Sequence, residues 1–409
     1  MSHVTHLEAA IDGTRLPAGT LQTVHEGRPL WVRYDLGAVG ASVKRADLAN
    51  REPSLWRYRE LLPVARDENI VSLGETMSPL VDCPALAKQL GVKRLLVKDE
   101  SRLPTGSFKA RGMALAVSMA KELGIQALAI PTAGNAGGAL AAYAAKAGMD
   151  CTVLMPEDTP EVNRYEAALF GARTFLVNGL INDCGALVRE GASRFDWFDV
   201  STLKEPYRIE GKKTMGLELA EQMDWQLPDA IFYPTGGGTG LIGMWKAFAE
   251  LGELGWLESD ARPRMYSCQA AGCAPIATAF DAGERFATAP ENPHTEAAGL
   301  RVPVAVGDFM ILDAVRASGG RAMAADETCL RPRMHQAARS EGLSLCPEAA
   351  TCLEVLATCV EQGHVGADET VVVFNTGAVQ KYLEVMRTEL PRLDRADVDW
   401  DALAPKTSD

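Results

Sequence analysis

The first position in this chain with the means to do chemistry is Lys109, in Pro104-Thr105-Gly106-Ser107-Phe108-Lys109-Ala110-Arg111-Gly112. A short apolar run of strand type, Leu95-Leu96-Val97-Lys98, precedes this turn. Met113, Leu115, Val117, Met119 and Leu123, interleaved with alanines and a lysine, then form a helical run that stops at Gly124. Lys109 therefore falls in the first turn of a helix, where the backbone partial charge is positive and a cation is disfavoured. Taken alone it reads as a solvated lysine. If its setting lowers its pKa, the free amine can form a Schiff base with a carbonyl cofactor.

Four further segments can serve such a lysine. Pro131-Thr132-Ala133-Gly134-Asn135-Ala136-Gly137-Gly138 opens an alanine-rich helix. Its unpaired N–H groups suit a carboxylate, and Asn135 is either an N-cap or a donor to a ligand oxygen. In Pro234-Thr235-Gly236-Gly237-Gly238-Thr239-Gly240, successive glycines let the backbone approach a phosphate at a helix start. A dinucleotide loop is the rival, but no acidic residue closes a following short strand at the expected offset, so a single phosphate fits better. Thr376, in Phe374-Asn375-Thr376-Gly377 at a strand's end, is either a helix N-cap or a partner for an unprotonated ring nitrogen. Finally, Pro206-Tyr207-Arg208-Ile209-Glu210-Gly211-Lys212-Lys213-Thr214 sets Arg208, Lys212 and Lys213 at a helix start, electrostatically misplaced unless they face an anion.

The elements that must position these residues alternate. Strands are expected at Ala127 to Ile130, Cys151 to Met155, Thr174 to Val177, Ala230 to Tyr233, Met265 to Cys268 and Val371 to Phe374. Helices are expected over 135–147, 160–170, 181–195, 210–223, 240–251, 273–282, 308–318, 328–340, 347–361 and 379–389. Short strands spaced by helices imply an α/β fold of mainly parallel sheets covered by helices. Residues 1 to about 70 read as an irregular polar arm packed on the body or at a subunit contact, and the tail after about 390 as acidic and loose.

Composition bounds the partners. At 409 residues the chain is about two domains long, and 47% hydrophobic with 23% charged residues is ordinary for a globular protein. A net charge of -13 argues against nucleic acid or an anionic membrane surface. No run reaches the length of a spanning helix, and Met1-Ser-His-Val-Thr-His has no signal-peptide pattern, so a cytoplasmic protein is expected. Nine scattered cysteines without a Cys-x-x-Cys pair, and six unclustered histidines, fit buried thiols and no metal site.

The Pro-Thr-Gly-Ser-Phe-Lys-x-Arg-Gly segment resembles the lysine motif of the tryptophan-synthase-like (fold type II) pyridoxal-phosphate enzymes, and the order of the other motifs follows that family over roughly residues 70–390. Leu73-Gly74-Glu75 and Arg208-x-Glu210-Gly211-x-Lys213-Thr214 are similar to segments of threonine synthases. Ala110 and the asparagine-free glycine loop are closer to threonine and serine dehydratases, and the Cys-x-x-Cys ribbon of some synthase relatives is missing around Glu26 to Leu30.

The resemblance implies a two-domain enzyme with pyridoxal 5'-phosphate at the domain interface, a small inserted domain at 113–205, and a large domain from 1–112 and 206–409. It implies that Lys109 forms the Schiff base, and that Gly236, Gly237, Gly238, Thr239 and Gly240 hold the cofactor phosphate. Asn135 would meet the cofactor's O3′ and Thr376 its ring nitrogen. Thr132, Ala133, Gly134 and Asn135 would bind the substrate carboxylate, and Arg208 with Lys213 the substrate phosphate. The expected activity is a lyase of threonine-synthase type acting on a small amino-acid substrate, in a homodimer. A threonine or serine dehydratase and a non-catalytic cofactor-binding paralogue are the alternatives.

Overall fold

A computed structural model describes residues 2–401 and 403; part of the acidic tail lies outside the described residues. Ten strands build two sheets over the body of the chain. The six-stranded sheet has the order β12-β11-β10-β13-β5-β4. Its strands are β4 (Leu80–Asp82), β5 (Arg94–Asp99), β10 (Ala230–Pro234), β11 (Arg264–Ala270), β12 (Ala322–Ala325) and β13 (Thr370–Asn375). All its neighbours run parallel except β4 against β5. The four-stranded sheet is parallel throughout, in the order β8-β7-β6-β9. It contains β6 (Ala127–Pro131), β7 (Asp150–Pro156), β8 (Arg173–Val177) and β9 (Phe198–Asp199). The chain leaves the larger sheet after β5, completes the smaller one in a single stretch, and returns at β10.

Successive side chains of the central strands bury on opposite faces, as a parallel sheet covered on both sides requires. Leu95, Val97, Phe232, Val371 and Val373 pack into one core cluster, while Leu96, Ile231, Tyr233, Val372 and Phe374 pack into another. The covering helices are α1 (Leu36–Ser42), α2 (Pro84–Leu90), α3 (Lys109–Glu122), α4 (Asn135–Ala147), α5 (Glu161–Leu169), α6 (Ile181–Phe195) and α7 (Tyr207–Gln222). They continue with α8 (Thr239–Glu253), α9 (Pro275–Asp281), α10 (Asp308–Ala317), α11 (Leu330–Glu341), α12 (Pro347–Glu361) and α13 (Leu383–Met386). Helices α3 and α7 are buried along almost their whole length. Their close crossing depends on a missing side chain, because a Cβ at Gly211 would lie 2.0 Å from the Arg111 carbonyl oxygen.

Two expectations are corrected. The N-terminal arm is not irregular: β1 (Val4–Ala9), β2 (Arg15–Leu16) and β3 (Leu30–Tyr34) form an antiparallel sheet in the order β2-β1-β3. Leu7, Ala9, Leu30 and Val32 are its buried residues, and the polar residues alternating with them mask the strand period. The helix expected over 379–389 is reduced to a turn at Val379–Lys381 and the four residues of α13. Tyr382 breaks it by leaving helical geometry (φ −128°, ψ 60°), and its buried ring lines the cavity described next.

Candidate active site

Strand β5 ends at Asp99, and two short turns carry the chain to Lys109, the first residue of α3. Within the second turn Thr105 takes a positive φ of 57°. Backbone bonds pin this loop to the end of β13: the Phe108 N–H donates to the Thr376 carbonyl at 3.0 Å and the Ala378 N–H to the Gly106 carbonyl at 2.8 Å. The lysine and threonine motifs, far apart in sequence, are thus held side by side.

A cavity opens where these loops meet the start of α8. Lys109, Asn135, Gly236, Gly237, Gly238 and Thr239 line it, as does Thr376, so most of the expected cofactor residues converge here. Gly240 stands behind the wall, where a Cβ would lie 2.0 Å from the Tyr233 hydroxyl. Thr132, Ala133 and Gly134 are not part of the lining. Thr132 instead closes a local turn, its hydroxyl donating to the Gly134 carbonyl at 3.0 Å. Tyr382 and Glu348 are lining residues that sequence reasoning missed. For Glu348 the one signal was Pro347-Glu348 at a helix start, which reads as ordinary N-terminal chemistry.

Lys109 is partly covered, and burial of its amine, followed by the nearby charge of Arg208, brings its pKa from 10.5 to about 7 against the opposing pull of Glu348. Lys212, fully buried, donates to the Phe108 carbonyl. Burial and then the charge of Lys109 push its pKa well below the ordinary lysine range. Arg208 is also buried: it donates to the Val200 carbonyl at 2.7 Å, while its Nε has no partner. The Glu205 carboxylate accepts the N–H groups of Tyr207 and Arg208 at the start of α7, and burial raises its pKa to about 7.

Lys213 corrects an expectation. Its place at a helix start suggests an anion ligand, yet it points away from the cavity into a buried cluster, 2.7 Å from Glu210 and 2.9 Å from Glu250. Tyr34 donates to Glu210 at 2.7 Å in the same cluster, and Lys246 pairs with both carboxylates. Successive residues on a helix point about 100° apart, so Lys212 and Lys213 serve different neighbourhoods.

These residues fit a pyridoxal phosphate. The glycine loop is tightly packed: a Cβ on Gly236 would meet the Gly299 carbonyl oxygen at 2.6 Å, and one on Gly237 the Thr202 methyl at 2.7 Å. No side chain caps α8, so its first N–H groups remain available to an anion. Asn135 donates through Nδ2 to the Tyr382 hydroxyl at 3.1 Å, but its Oδ1 and the Ser107 hydroxyl lack partners although buried. Buried polar atoms left open beside an amine of lowered pKa mark a ligand site.

Comparison with known proteins agrees. A family model described as pyridoxal-phosphate dependent enzyme matches residues 71–377, and the chain belongs to that family. It is 37% identical over 351 residues to the threonine synthase of Methanosarcina acetivorans, covering 86% of this chain and 85% of the relative. It is 35% identical to that of Methanocaldococcus jannaschii, covering 87% and 88%. Maize serine racemase (TM-score 0.64, 20% identity, 76% of this chain and 91% of that one) shares the fold. So does diaminopropionate ammonia lyase from Escherichia coli (TM-score 0.66, 19% identity, 78% and 90%). The protein is a pyridoxal-phosphate enzyme of fold type II, as its motifs imply. Among the described residues no helix is long and apolar enough to cross a membrane, and no cluster of metal-ligating side chains occurs.

Proposed function

We propose that this enzyme converts O-phospho-L-homoserine and water to L-threonine and phosphate. The single observation that supports this reading over a dehydratase is Arg208, a buried guanidinium beside Lys109 that forms no ion pair among the described residues and keeps Nε unpartnered. Glu205 and Asp199 give this cation only longer-range support, short of a contact ion pair, and a phosphate dianion matches a guanidinium fork.

Pyridoxal phosphate, when bound, supplies the carbonyl that takes up the substrate amino group and the electron sink that stabilises negative charge beside it. The N–H groups of Gly236 to Gly240 would hold its phosphate, Asn135 its phenolic oxygen and Thr376 its ring nitrogen. Lys109, with a pKa near 7, is poised to take a proton from the substrate Cα and return one. Asn135, the one residue of the Thr132 to Asn135 turn on the cavity wall, would meet the substrate carboxylate with the backbone beside it, and Arg208, buried behind the wall, would orient the departing phosphate. The division of labour follows the two sheets: Asn135 enters from the smaller one, within the proposed 113–205 unit, and the remaining cofactor residues come from the rest of the chain. We read the enzyme as a cytoplasmic homodimer, the globular composition bearing on the compartment and the resemblance to fold type II enzymes on the assembly.

The test offers O-phospho-L-homoserine and L-threonine to wild type and to Arg208→Ala, measuring phosphate, threonine and 2-oxobutanoate. Losing a charge-assisted phosphate contact costs roughly 1.5–3 kcal/mol, so kcat/KM on phosphohomoserine falls about ten- to a hundredfold. Rapid 2-oxobutanoate from threonine, with no phosphate released from phosphohomoserine, makes the protein a dehydratase instead.

A further inference from the structure

Besides Lys109, the cavity wall carries one carboxylate, Glu348. It is the second residue of α12 and only 3% exposed. Its Oε1 accepts the Gly299 N–H at 2.8 Å, while Oε2, equally buried, has no partner. The helix start favours a negative charge there, but packing gives the second oxygen nothing to do. The hydroxyl of Tyr382 and the thiol of Cys346 come near enough to the same carboxylate to interact with it as weak donors, but neither reaches Oε2 with hydrogen-bond geometry. Burial first, and Glu348 second, hold both pKa values well above their ordinary range, so neither neighbour delivers a proton to Glu348 at neutral pH.

An unfilled carboxylate oxygen in a cavity calls for a ligand that donates a hydrogen bond. The substrate phosphate and carboxylate are excluded by charge, and the substrate nitrogen is committed to the cofactor. Water, the second substrate of the reaction proposed above, remains. Resting on that reading, we propose that Glu348 is the general base for hydration. Once phosphate has left Cγ and the Lys109 ammonium has returned a proton to Cγ, the double bond lies between Cα and Cβ, and Oε2 accepts a proton from water as the water oxygen bonds to Cβ. The Cα=Cβ electron pair moves to Cα, which takes a proton from the Lys109 ammonium. The Glu348 carboxylic acid then passes its proton through solvent to the Lys109 amine, restoring both groups, and the net change is addition of one water.

The discriminating experiment is Glu348→Gln, which keeps an oxygen for Gly299 and removes the base. Loss of a positioned proton acceptor slows its own step roughly 10²–10⁴-fold and leaves phosphate elimination ahead of it intact. With O-phospho-L-homoserine, threonine formed per phosphate released therefore falls at least about tenfold, the balance appearing as 2-oxobutanoate and ammonia. Fluorescence titration with pyridoxal phosphate gives an unchanged affinity. A ratio that stays at the wild-type value while both products slow together overturns the assignment and leaves Glu348 a structural or electrostatic group. Should the Gln variant not fold, Glu348→Asp carries the test: withdrawing the carboxylate by one methylene lowers the ratio with cofactor affinity preserved, and an unchanged ratio overturns it. A wild type that releases no phosphate at all overturns the parent reading, and this one with it, which separates the two failures.

Discussion

Two sets of cations, buried or largely covered, lie close together on β5, α3 and α7, and they differ in one respect. Arg111 is 2.6 Å from both Glu100 and Glu218, Lys98 is 2.9 Å from Glu218, and Lys213 is held between Glu210 and Glu250. Lys109, Lys212 and Arg208 have no such partners among the described residues. Burial is the first influence on all of them. In the paired set carboxylates reverse it for Arg111 and Lys213, whose pKa values rise, and only partly offset it for Lys98. In the unpaired set it prevails, and all three values fall. Paired charges hold two helices in register, whereas unpaired ones keep a capacity that a ligand can fill.

The largest effect expected from breaking this contrast is at Lys109. Lys109→Ala removes the amine that moves protons, and kcat falls at least about 10²–10⁴-fold, while thermal unfolding shows a folded protein. With wild type, capture of pyridoxal phosphate by the stripped enzyme needs the neutral amine. Its rate therefore declines as pH drops through about 7, a profile that stopped-flow absorbance follows. A midpoint near 10 would mean that the amine is as solvated as an ordinary lysine.

Glu218 is the centre of the paired set, accepting from Arg111 and Lys98, whose charges overcome burial to lower its pKa from 4.5 to about 2. Glu218→Ala leaves two buried cations short of a partner and costs about 3–5 kcal/mol of stability, read by urea unfolding. Since its folded pKa is depressed, the stabilisation from Glu218 is present above about 4.5 and is lost as pH falls toward about 2.

Sequence made the reactive set easier to read than the structural one. Lys109, Asn135, the glycine loop and Thr376 sit on turns whose local chemistry leaves a solvated lysine or a helix cap open, and it was their order along the chain, resembling the fold type II motifs, that singled them out. Strands β6, β7, β10 and β13 were legible because buried parallel strands are continuous apolar runs. The arm sheet was not, since only one face of β1 and β3 is buried and histidine, threonine and arginine occupy the other. Glu348 and Tyr382 reach the cavity only through tertiary packing, from segments with no local sign of a ligand. Direction on a helix was equally hidden: nothing in Glu210-Gly211-Lys212-Lys213-Thr214 says which lysine meets the carboxylates.

That pair contains the smallest effect, at Lys212, and the sharpest form of the contrast, because the same substitution at adjacent residues should have very different consequences. Lys213→Met leaves Glu210 and Glu250 buried with Lys246 as their one remaining cation among the described residues, and costs about 3–5 kcal/mol in urea unfolding. Lys212→Met strands no carboxylate. It removes one donor from the Phe108 carbonyl, worth about 1 kcal/mol, and also a desolvated amine whose pKa lies well below 10.5. For such a base the unfolded chain binds the proton more tightly, so its penalty is fully present below the lowered pKa and disappears as pH rises to 10.5. Wild-type stability should therefore climb with pH across that window, and Lys212→Met should flatten the climb, the relieved penalty at neutral pH offsetting the lost donor. Equal losses for the two variants would show that Lys212 has a buried counter-charge after all, and would return it to the structural set.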